Sequence, residues 1–346
     1  MNSPEISVVI PTYRALDLLR NAIESVLQQT FDDFEIVLVD NNASVDTKKV
    51  AEEFRHLHPK KVRIVYESTP GVCSARNRGI LESRGSYVAL LDEDDLMLPD
   101  RLKHQYAVMK NHPELSLVTC HCNVLSYDGE SILKKNVPVT GEWSEYCADL
   151  VQLIKSPLDQ DQPSSFYLTM PSTFFFKKET AIHAGLFDTR MNPQYCEDDE
   201  FQIRMFEQGK FHMIPNPLIY FRNALRKPKY SVSFRLAQSF RLLGIIYEKY
   251  GSDDRKRIRI LRKIYSKLLI NYGLELYKYK SGARFGNLFL KKAFYYSPSM
   301  KKGKLFLKTY FPDKYYKRLF WVETDALPSE DDLEYKVLNA VLSWNP

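Results

Sequence analysis

The sequence predicts an α/β fold with a doubly wound, mostly parallel sheet, followed by a helical and basic C-terminal extension. Short runs of consecutive apolar residues alternate with segments of helical periodicity through the first third of the chain. The balance of charge also changes, because residues 1–221 carry 22 Lys and Arg against 32 Asp and Glu, whereas residues 222–322 carry 26 against 5. This change predicts a boundary between a domain of residues 1–230 and a helical region of residues 231–346.

Uninterrupted apolar runs are typical of strands that are buried on both faces of a parallel sheet. They predict strands at residues 6–10, 35–39, 62–66, 87–91 and 115–125, and a further apolar run lies within residues 165–177. Helical spacing of apolar residues predicts helices at residues 16–29, 47–56, 72–81, 200–208, 234–250, 255–279 and 284–296. Right-handed crossovers between parallel strands give the doubly wound layout.

Composition narrows the class of protein and its compartment. The chain opens with a strand-like segment, and no stretch approaches ~18 uninterrupted apolar residues, so we expect neither a signal peptide nor a membrane-spanning helix. Five cysteines are few and odd in number for so long a chain, which favours a reducing cytoplasm over a disulfide framework. Cys120 and Cys122 flank His121, but no second ligand pair follows at a finger-like spacing, so buried thiols are the favoured interpretation.

Polar residues follow three of the predicted strands at the point where each strand ends. Pro11, Thr12 and Tyr13 follow the first strand, Asp40 follows the second, and residues 92–95, with the sequence Asp-Glu-Asp-Asp, follow the fourth. Ligands of doubly wound sheets bind outside the carboxyl ends of the strands. These residues are therefore expected to line a ligand site.

Residues 92–95 place four carboxylates side by side, and their repulsion favours either solvent or a bound cation. A cation here would be a hard divalent ion such as Mg²⁺ or Mn²⁺, which takes oxygen ligands and is completed by substrate phosphates. A solvated acidic turn is the alternative. Asp40 also has two interpretations, since its carboxylate either accepts hydrogen bonds from a base or ribose or closes an Asx-turn before the next helix.

Two further segments carry charge that bears on this site. Arg76 lies in a predicted helix, where its guanidinium either faces a diphosphate or lies on the solvated face. Residues 197–200, with the sequence Glu-Asp-Asp-Glu, form a second acidic cluster that leads into a helix. Such a cluster either caps the helix or supplies a general base that deprotonates an acceptor hydroxyl.

Taken in their order, these segments resemble the family 2 glycosyltransferases of GT-A fold. The motifs that carry the resemblance are ISVVIPTY, VDNN, GVCSARNRG, LDEDD and EDDEF, with LFD at 186–188 and YFR at 220–222. Each motif is weak alone, but the joint order is specific and covers roughly residues 5–222. The resemblance implies an inverting transferase that moves a sugar from a UDP- or GDP-sugar to a glycan or lipid-linked acceptor, in polysaccharide or glycoconjugate synthesis.

The resemblance also implies roles for individual residues. Asp198 is the expected catalytic base, with Glu197 and Asp199 as alternatives in the same cluster. Asp94 is the expected ligand of a divalent metal, Mn²⁺ or Mg²⁺, and Asp92 contacts the ribose or the same metal. The residues expected to bind the nucleotide sugar are Pro11, Thr12, Tyr13, Asp40, Arg76, Asp92 and Glu93, and Arg222 is a further candidate at the end of the region.

Three positions depart from the family pattern. The segment after Asp40 reads Asn-Asn-Ala-Ser rather than the more usual Asp-Gly-Ser, and Glu93 is the middle residue of the metal motif. Residues 223–228 contain no His, although many relatives have one there that assists the metal or the diphosphate. Arg226 or Lys227 is the alternative source of positive charge in that loop.

Other functions are compatible with the same residues. One is a metal-dependent nucleotidyltransferase or nucleotide-sugar hydrolase, and another is a non-catalytic nucleotide- or carbohydrate-binding protein. The basic region contains no recognisable nucleic-acid-binding module, so we expect no nucleic-acid partner. Its helices either pack an apolar stripe on the preceding domain, lie on an anionic membrane surface at the inner face of the membrane, or bind another anionic partner. A helical interface between two protomers is compatible with any of these.

Overall fold

A computed structural model of the protein describes residues 3–13, 16–138, 149–150, 168–222, 232–251, 255–276 and 283–296. The chain divides into two compact units. The first unit contains residues 1–147 and 159–227, and the second contains residues 148–158 and 228–346. Residues 148–158 thus belong to the second unit, although the residues on both sides of them in the sequence belong to the first. The sequence does not predict this.

Strands and helices alternate in the first unit, and a run of helices follows in the second. The strands are β1 (Ile6–Thr12), β2 (Phe34–Asp40), β3 (Val62–Tyr66), β4 (Tyr87–Leu90), β5 (Leu96–Met97), β6 (Leu115–Leu125), β7 (Ile132–Val137), β8 (Phe175–Lys177) and β9 (Lys210–Arg222). The helices are α1 (Leu16–Leu27), α2 (Val45–Leu57), α3 (Val72–Glu82), α4 (Arg101–Asn111), α5 (Lys178–His183), α6 (Glu197–Gln208), α7 (Val232–Tyr250), α8 (Arg255–Leu276) and α9 (Ala283–Tyr296). Each strand and helix predicted from the sequence is present.

Within the described residues, nine strands form one sheet in the order β3-β2-β1-β4-β8-β6-β9-β5, with β7 paired to β6. The first four strands are parallel, as predicted. β8 runs antiparallel to both β4 and β6, so the sheet as a whole is mixed. The sequence does not reveal this reversal, because an apolar run looks the same in a strand of either direction.

The parallel strands end in step at one edge of the sheet. Thr12 at the end of β1 lies opposite Asp40 in β2, and Asp40 lies opposite Tyr66 in β3. β4 pairs with β1, with Leu90 opposite Val9. The polar segments that follow β1, β2 and β4 therefore leave the sheet at the same edge.

The strands at the centre of this sheet are buried on both faces. Residues 6–10 of β1 and residues 36–39 of β2 have no measurable exposure, which explains their uninterrupted apolar runs. α3 packs closely on them at Gly79, where an added Cβ would lie 2.2 Å from Val9 Cγ1 and 2.9 Å from Val39 Cγ2. This close approach holds the helix near the carboxyl edge of the sheet.

The second unit is helical in its described residues, and α8 buries most of the predicted apolar stripe. The buried residues of the stripe are Leu261, Ile264, Leu268, Tyr272 and Leu276, whereas Ile258 is partly exposed. Asp149 is buried and forms ion pairs of 2.6 Å with both Lys263 and Lys267, which attach the returning segment to α8. None of the described helices is both long enough and apolar enough to cross a membrane.

Gly79→Ala is expected to destabilise the first unit, because the new Cβ would press on Val9 and Val39. Overpacking of this kind costs about 1–3 kcal/mol. Gly244→Ala in α7 is the control, since no heavy atom lies within 4 Å of that Cβ position and Ala favours a helix over Gly. Thermal unfolding followed by circular dichroism should show a lower midpoint for Gly79→Ala only. An unchanged midpoint for Gly79→Ala would contradict the close packing of α3.

Candidate active site

The carboxylates after β4 divide into one that is buried and three that are partly exposed. Asp95 is 1% exposed, and its Oδ1 accepts the backbone N–H of Arg222 at 2.8 Å. Burial, together with the charges of Asp94 and Asp92, raises the pKa of Asp95 well above its usual value. Asp92, Glu93 and Asp94 are partly exposed, so they are the members of this cluster that can meet a ligand.

Arg222, a candidate ligand-binding residue from the sequence, is buried against the backbone of the same turn. Its Nε donates to the carbonyl of Asp94 at 3.0 Å, and its Nη1 donates to the carbonyl of Tyr127 at 2.9 Å. The guanidinium also lies against Gly129, where a Cβ would come within 2.6 Å of Nη1. Arg222 therefore joins the acidic turn to the loop between β6 and β7.

The residues at the end of β1 differ in how exposed they are to a ligand. Thr12 is buried, and its hydroxyl donates to the carbonyl of Val39 at 3.0 Å. Pro11 is partly exposed, and Tyr13 is 47% exposed. The N–H of Tyr13 donates to Glu93 Oε2 at 2.9 Å, so one carboxylate oxygen of Glu93 is engaged by the backbone.

Asp40 closes a turn and also pairs with a lysine. Its Oδ1 accepts the N–H of Ala43 at 2.9 Å, which is the Asx-turn that one interpretation of the sequence expected. Its Oδ2 lies 3.2 Å from Lys48 Nζ on α2, and 16% of the Asp40 side chain is exposed. No sequence pattern pointed to Lys48, because a lysine on a polar helix face has no distinguishing signal.

The departure from the family pattern after Asp40 has a structural reason. Asn42 has a φ of 59°, in the left-handed region that glycine favours and asparagine tolerates. Asn41 is buried, its amide donates to the carbonyls of Glu67 and Thr69, and its Oδ1 accepts the N–H of Gly71 at 2.9 Å. These bonds join the end of β2 to the loop that leads into α3.

Arg76 is the point at which the two acidic clusters of the sequence meet. It is 1% exposed, its Nη2 lies 2.8 Å from Asp92 Oδ1, and its Nη1 lies 2.9 Å from Glu197 Oε1. The ring of Phe187 lies 5.3 Å from the guanidinium carbon. Both terminal nitrogens are thus engaged by carboxylates of the protein, whereas one interpretation of the sequence placed the guanidinium against a diphosphate.

The four acidic residues at the start of α6 have different surroundings. Glu197 belongs to the bridge just described, and Glu200 pairs with Arg204 at 2.5 Å. Asp199 is 1% exposed, whereas Asp198, at 8%, is the most exposed of the four. Asp198 forms no ion pair with any described residue, and its Oδ1 accepts the N–H of Asp199 at 3.0 Å. Asp198 is therefore the cluster member best placed to act on a ligand.

The pKa of Asp198 suits a group that accepts a proton near neutral pH. Burial, followed by the charge of Glu197, raises this pKa to about 7, and the charge of Arg76 opposes the rise. A general base works best when its pKa lies near the operating pH. The backbone before α6 is also unusual, since Tyr195 and Cys196 have positive φ values of 101° and 61°, and such outliers cluster at functional sites.

The residues after β4 fit a divalent cation. No group of three His, Cys, Asp or Glu side chains among the described residues has the arrangement of a complete metal site. Mg²⁺ does not require one, since proteins often bind it through one or two carboxylates plus substrate phosphates. Asp94 and Asp92 supply that number of carboxylates, and a cation would offset the negative charge that they impose on Asp95.

The Cys120-His121-Cys122 segment lies within β6. Both cysteines are buried thiols, as the sequence favoured. Burial raises the pKa of Cys120 to about 11. A thiol that is protonated at neutral pH is a poor nucleophile, so this segment contributes packing.

Comparison with known proteins relates part of the chain to a family. Residues 7–146 match the model of the glycosyl transferase family 2. Over this segment, the chain is similar to glycosyltransferase family 2. The matched segment ends before α6, so the assignment of the second acidic cluster depends on the geometry described above.

The curated relatives extend this similarity but differ in length. An uncharacterized glycosyltransferase of Methanocaldococcus jannaschii is 33% identical over 149 residues, which are 42% of this chain and 50% of that protein. An uncharacterized glycosyltransferase of Rickettsia prowazekii is 26% identical over 217 residues, which are 63% of each chain. The chain thus spans half to just under two thirds of the length of these relatives.

Solved structures share the fold of this chain. Staphylococcus aureus TarS in complex with UDP-GlcNAc has a TM-score of 0.54 at 15% identity, over 88% of this chain and 79% of that one. The mannosyltransferase PcManGT of Pyrobaculum calidifontis, in complex with GDP-Man and Mn²⁺, has a TM-score of 0.53 at 18% identity, over 98% and 85%. These likenesses confirm the expected GT-A-type α/β fold.

Proposed function

We propose that this protein transfers a sugar from a UDP- or GDP-sugar to an acceptor hydroxyl, with inversion at the anomeric carbon. The observation that carries the proposal is the meeting of two acidic clusters at one buried arginine. Asp92, of the cluster that contains Asp94, pairs with one terminal nitrogen of Arg76. Glu197, the neighbour of Asp198 in the chain, pairs with the other. A displacement reaction needs this arrangement, since the leaving group and the base act on opposite sides of the reacting carbon.

On the donor side, the carboxyl edge of the sheet would bind the nucleoside diphosphate. Asp94, with Asp92, would hold a divalent ion, and such an ion supplies a Lewis acid that stabilises the charge of a departing diphosphate. Tyr13 and Pro11 are exposed at the end of β1, next to Asp40 at the end of β2, so they would contact the nucleoside. The UDP-GlcNAc of TarS and the GDP-Man and Mn²⁺ of PcManGT support a donor of this class.

On the acceptor side, Asp198 would act as the general base. Its carboxylate takes the proton of the acceptor hydroxyl while the acceptor oxygen forms a bond to the anomeric carbon. The bond between that carbon and the β-phosphate oxygen breaks, and its electron pair leaves with the nucleoside diphosphate. Asp198 is favoured over its neighbours because Glu197 and Glu200 are held by arginines and Asp199 is more deeply buried.

The rival functions differ in what they release. A nucleotide-sugar hydrolase would release free sugar whether or not an acceptor is present, and a nucleotidyltransferase would release diphosphate. A non-catalytic binding protein would release neither. The presence of a carboxylate at each of Asp94 and Asp198, the latter with a pKa near 7, favours a catalyst over a binding protein.

The acceptor is proposed to be a glycan or lipid-linked glycan. A Bacillus subtilis relative with a provisional role in teichuronic acid biosynthesis, 32% identical over 107 residues, supports polysaccharide synthesis. The basic composition of residues 222–322 favours an anionic membrane surface as the place of action, at the cytoplasmic face. In α9, Lys291 is exposed beside Leu288, Phe294 and Tyr295, and an exposed mixture of basic and aromatic residues is typical of membrane interfaces.

The two halves of the proposed site should respond differently to mutation. Asp94→Asn should abolish the metal-dependent affinity for UDP or GDP, because the metal loses its carboxylate ligand. Asp198→Asn should keep that affinity but lower kcat by roughly 10²–10⁴, because only proton abstraction is lost. Calorimetry with Mn²⁺ measures the affinity, and nucleoside diphosphate release measures turnover.

Asp46→Asn is the control for both variants, since Asp46 is exposed on α2 and pairs with nearby Lys49. The wild-type rate should also rise with pH through about 7, because Asp198 must be deprotonated to accept a proton. Turnover of Asp198→Asn within a few-fold of wild type would exclude Asp198 as the base. Undiminished metal-dependent affinity of Asp94→Asn would exclude the metal assignment.

Membrane association should depend on charge in the second unit. Sedimentation with liposomes should rise with the fraction of anionic lipid and fall with salt. Lys291→Glu should weaken binding by at least about fivefold, since each basic residue near an anionic surface contributes about 1 kcal/mol and the new carboxylate adds repulsion. Lys49→Glu, the same change on the exposed face of α2, should have no effect. Equal binding to neutral and anionic liposomes would contradict the proposal.

A further inference from the structure

Arg76 bridges two carboxylates that are distant from it and from each other in the sequence. Asp92 is 16 positions away and Glu197 is 121 positions away, yet their carboxylate oxygens lie 2.8 Å and 2.9 Å from its two terminal nitrogens. Three elements therefore meet at one guanidinium: α3, the turn after β4, and the first turn of α6.

The surroundings of Arg76 leave its guanidinium little freedom. The residue is 1% exposed, and its guanidinium packs near the ring of Phe187. Its Nε is buried and has no hydrogen-bond partner among the described residues. A buried ion pair contributes little net stability compared with apolar residues of similar size, so stability alone does not account for this arrangement. The bridge formed by Arg76 has a more specific, geometric consequence, because a planar guanidinium fixes both the distance and the direction of two carboxylates.

The helix that carries Arg76 is itself attached to the segment that leads into α6. Asn77 donates to the carbonyl of Phe187 and accepts its N–H, both at 2.8 Å. Asn192 accepts the N–H of Cys73 at 3.1 Å and donates to Ser74 Oγ at 2.9 Å. The start of α3 and the segment before α6 therefore behave as one connected structure.

We propose that Arg76 is a positioning residue for sugar transfer, which holds the donor-binding carboxylate of Asp92 and the base-bearing turn of α6 at one fixed separation. This proposal rests on the proposed function. Arg76 acts through Asp92 and Glu197 and does not itself touch the donor. Its partner Glu197 has the corresponding role on the other side, since its Oε2 accepts the N–H of Tyr195 at 2.5 Å and so fixes the backbone just before Asp198.

The test is Arg76→Lys, which keeps the positive charge but replaces a two-pronged donor with a single ammonium group. Such an ammonium cannot hold both carboxylates in their present directions. We expect kcat to fall about 10- to 100-fold, as for small misplacements of catalytic groups. KM and the calorimetric affinity for the nucleotide sugar should change by less than kcat does, because Asp92 is displaced but Asp94 and the nucleoside contacts are untouched.

Arg204→Lys is the matched control. Arg204 is partly buried in the same region and pairs with Glu200 of the same cluster, and it also donates to the backbone carbonyls of Ala184 and Leu186. These three partners lie outside the turn after β4, so this arginine does not hold a donor-binding carboxylate in place. We expect Arg204→Lys to lower the unfolding midpoint but to leave kcat within a few-fold of wild type. Equal losses of kcat in the two variants would show that Arg76 is only a structural residue.

Glu197→Gln provides a second variant if Arg76→Lys does not fold. It keeps the shape of the side chain and an acceptor for Arg76, but it removes the charge, so kcat should fall while nucleotide affinity is kept. In the double variant the loss should be smaller than the product of the single losses, because both changes break the same bridge. Multiplicative losses would overturn the proposal. Wild-type turnover is measured first with a panel of UDP- and GDP-sugars, and its absence would overturn the proposed function instead.

Discussion

The candidate site depends on one buried cation placed between two groups of anions. The guanidinium of Arg76 lies between Asp92 and Glu197, away from solvent, and the position of α3 makes this possible. Gly79 allows that helix to pack directly on β1 and β2. A bulkier residue would move the helix outward, and the guanidinium would then no longer reach both carboxylates. The close packing at Gly79 thus helps to determine where the buried guanidinium of Arg76 lies.

The acidic residues of the candidate site lie close to one another, and this affects the pKa values of their carboxylates. Asp95 and Asp198 are both buried near other carboxylates, and the pKa of each is raised above its usual value. The two residues nevertheless differ, since Asp95 accepts a backbone N–H from β9 and supports the turn, whereas Asp198 accepts the N–H of its own neighbour. The clustering and burial of these carboxylates therefore have two effects. At the strand end the clustering favours a cation, and at the helix start the pKa values of Glu197 and Asp198 are both raised, chiefly by burial.

Much of this architecture could be predicted from the sequence, because the parallel strands and amphipathic helices each leave a local pattern. The strand-end rule also places Asp40, Asp92 and Asp94 at one edge of the sheet from the order of the strands alone. The direction of β8 could not be predicted, since an apolar run does not encode direction. No spacing rule anticipates that residues 148–158 belong to the second unit, where Asp149 pairs with Lys263 and Lys267.

The roles within the site were harder to predict than its location. The contacts of Arg76 and Glu93 with a nucleotide sugar stay predictions, and within the protein these side chains contact Asp92, Glu197 and the backbone of Tyr13. These partners lie 16 to 121 positions away along the chain, a separation at which sequence periodicity carries no information. The family resemblance already selects Asp198 from its cluster, and the folded chain adds its greater exposure and its lack of an arginine partner among the described residues.

The central claim is that donor and base lie on opposite sides of the reacting carbon, and the stereochemistry of transfer tests it most directly. Proton NMR can follow the anomeric signal of the first product formed from UDP-GlcNAc or GDP-mannose, whose sugars are both α-linked, before mutarotation occurs. A single in-line displacement assisted by Asp198 predicts a β-linked or β-configured product. An α-configured first product would contradict the account, because retention requires a different arrangement of the reacting groups.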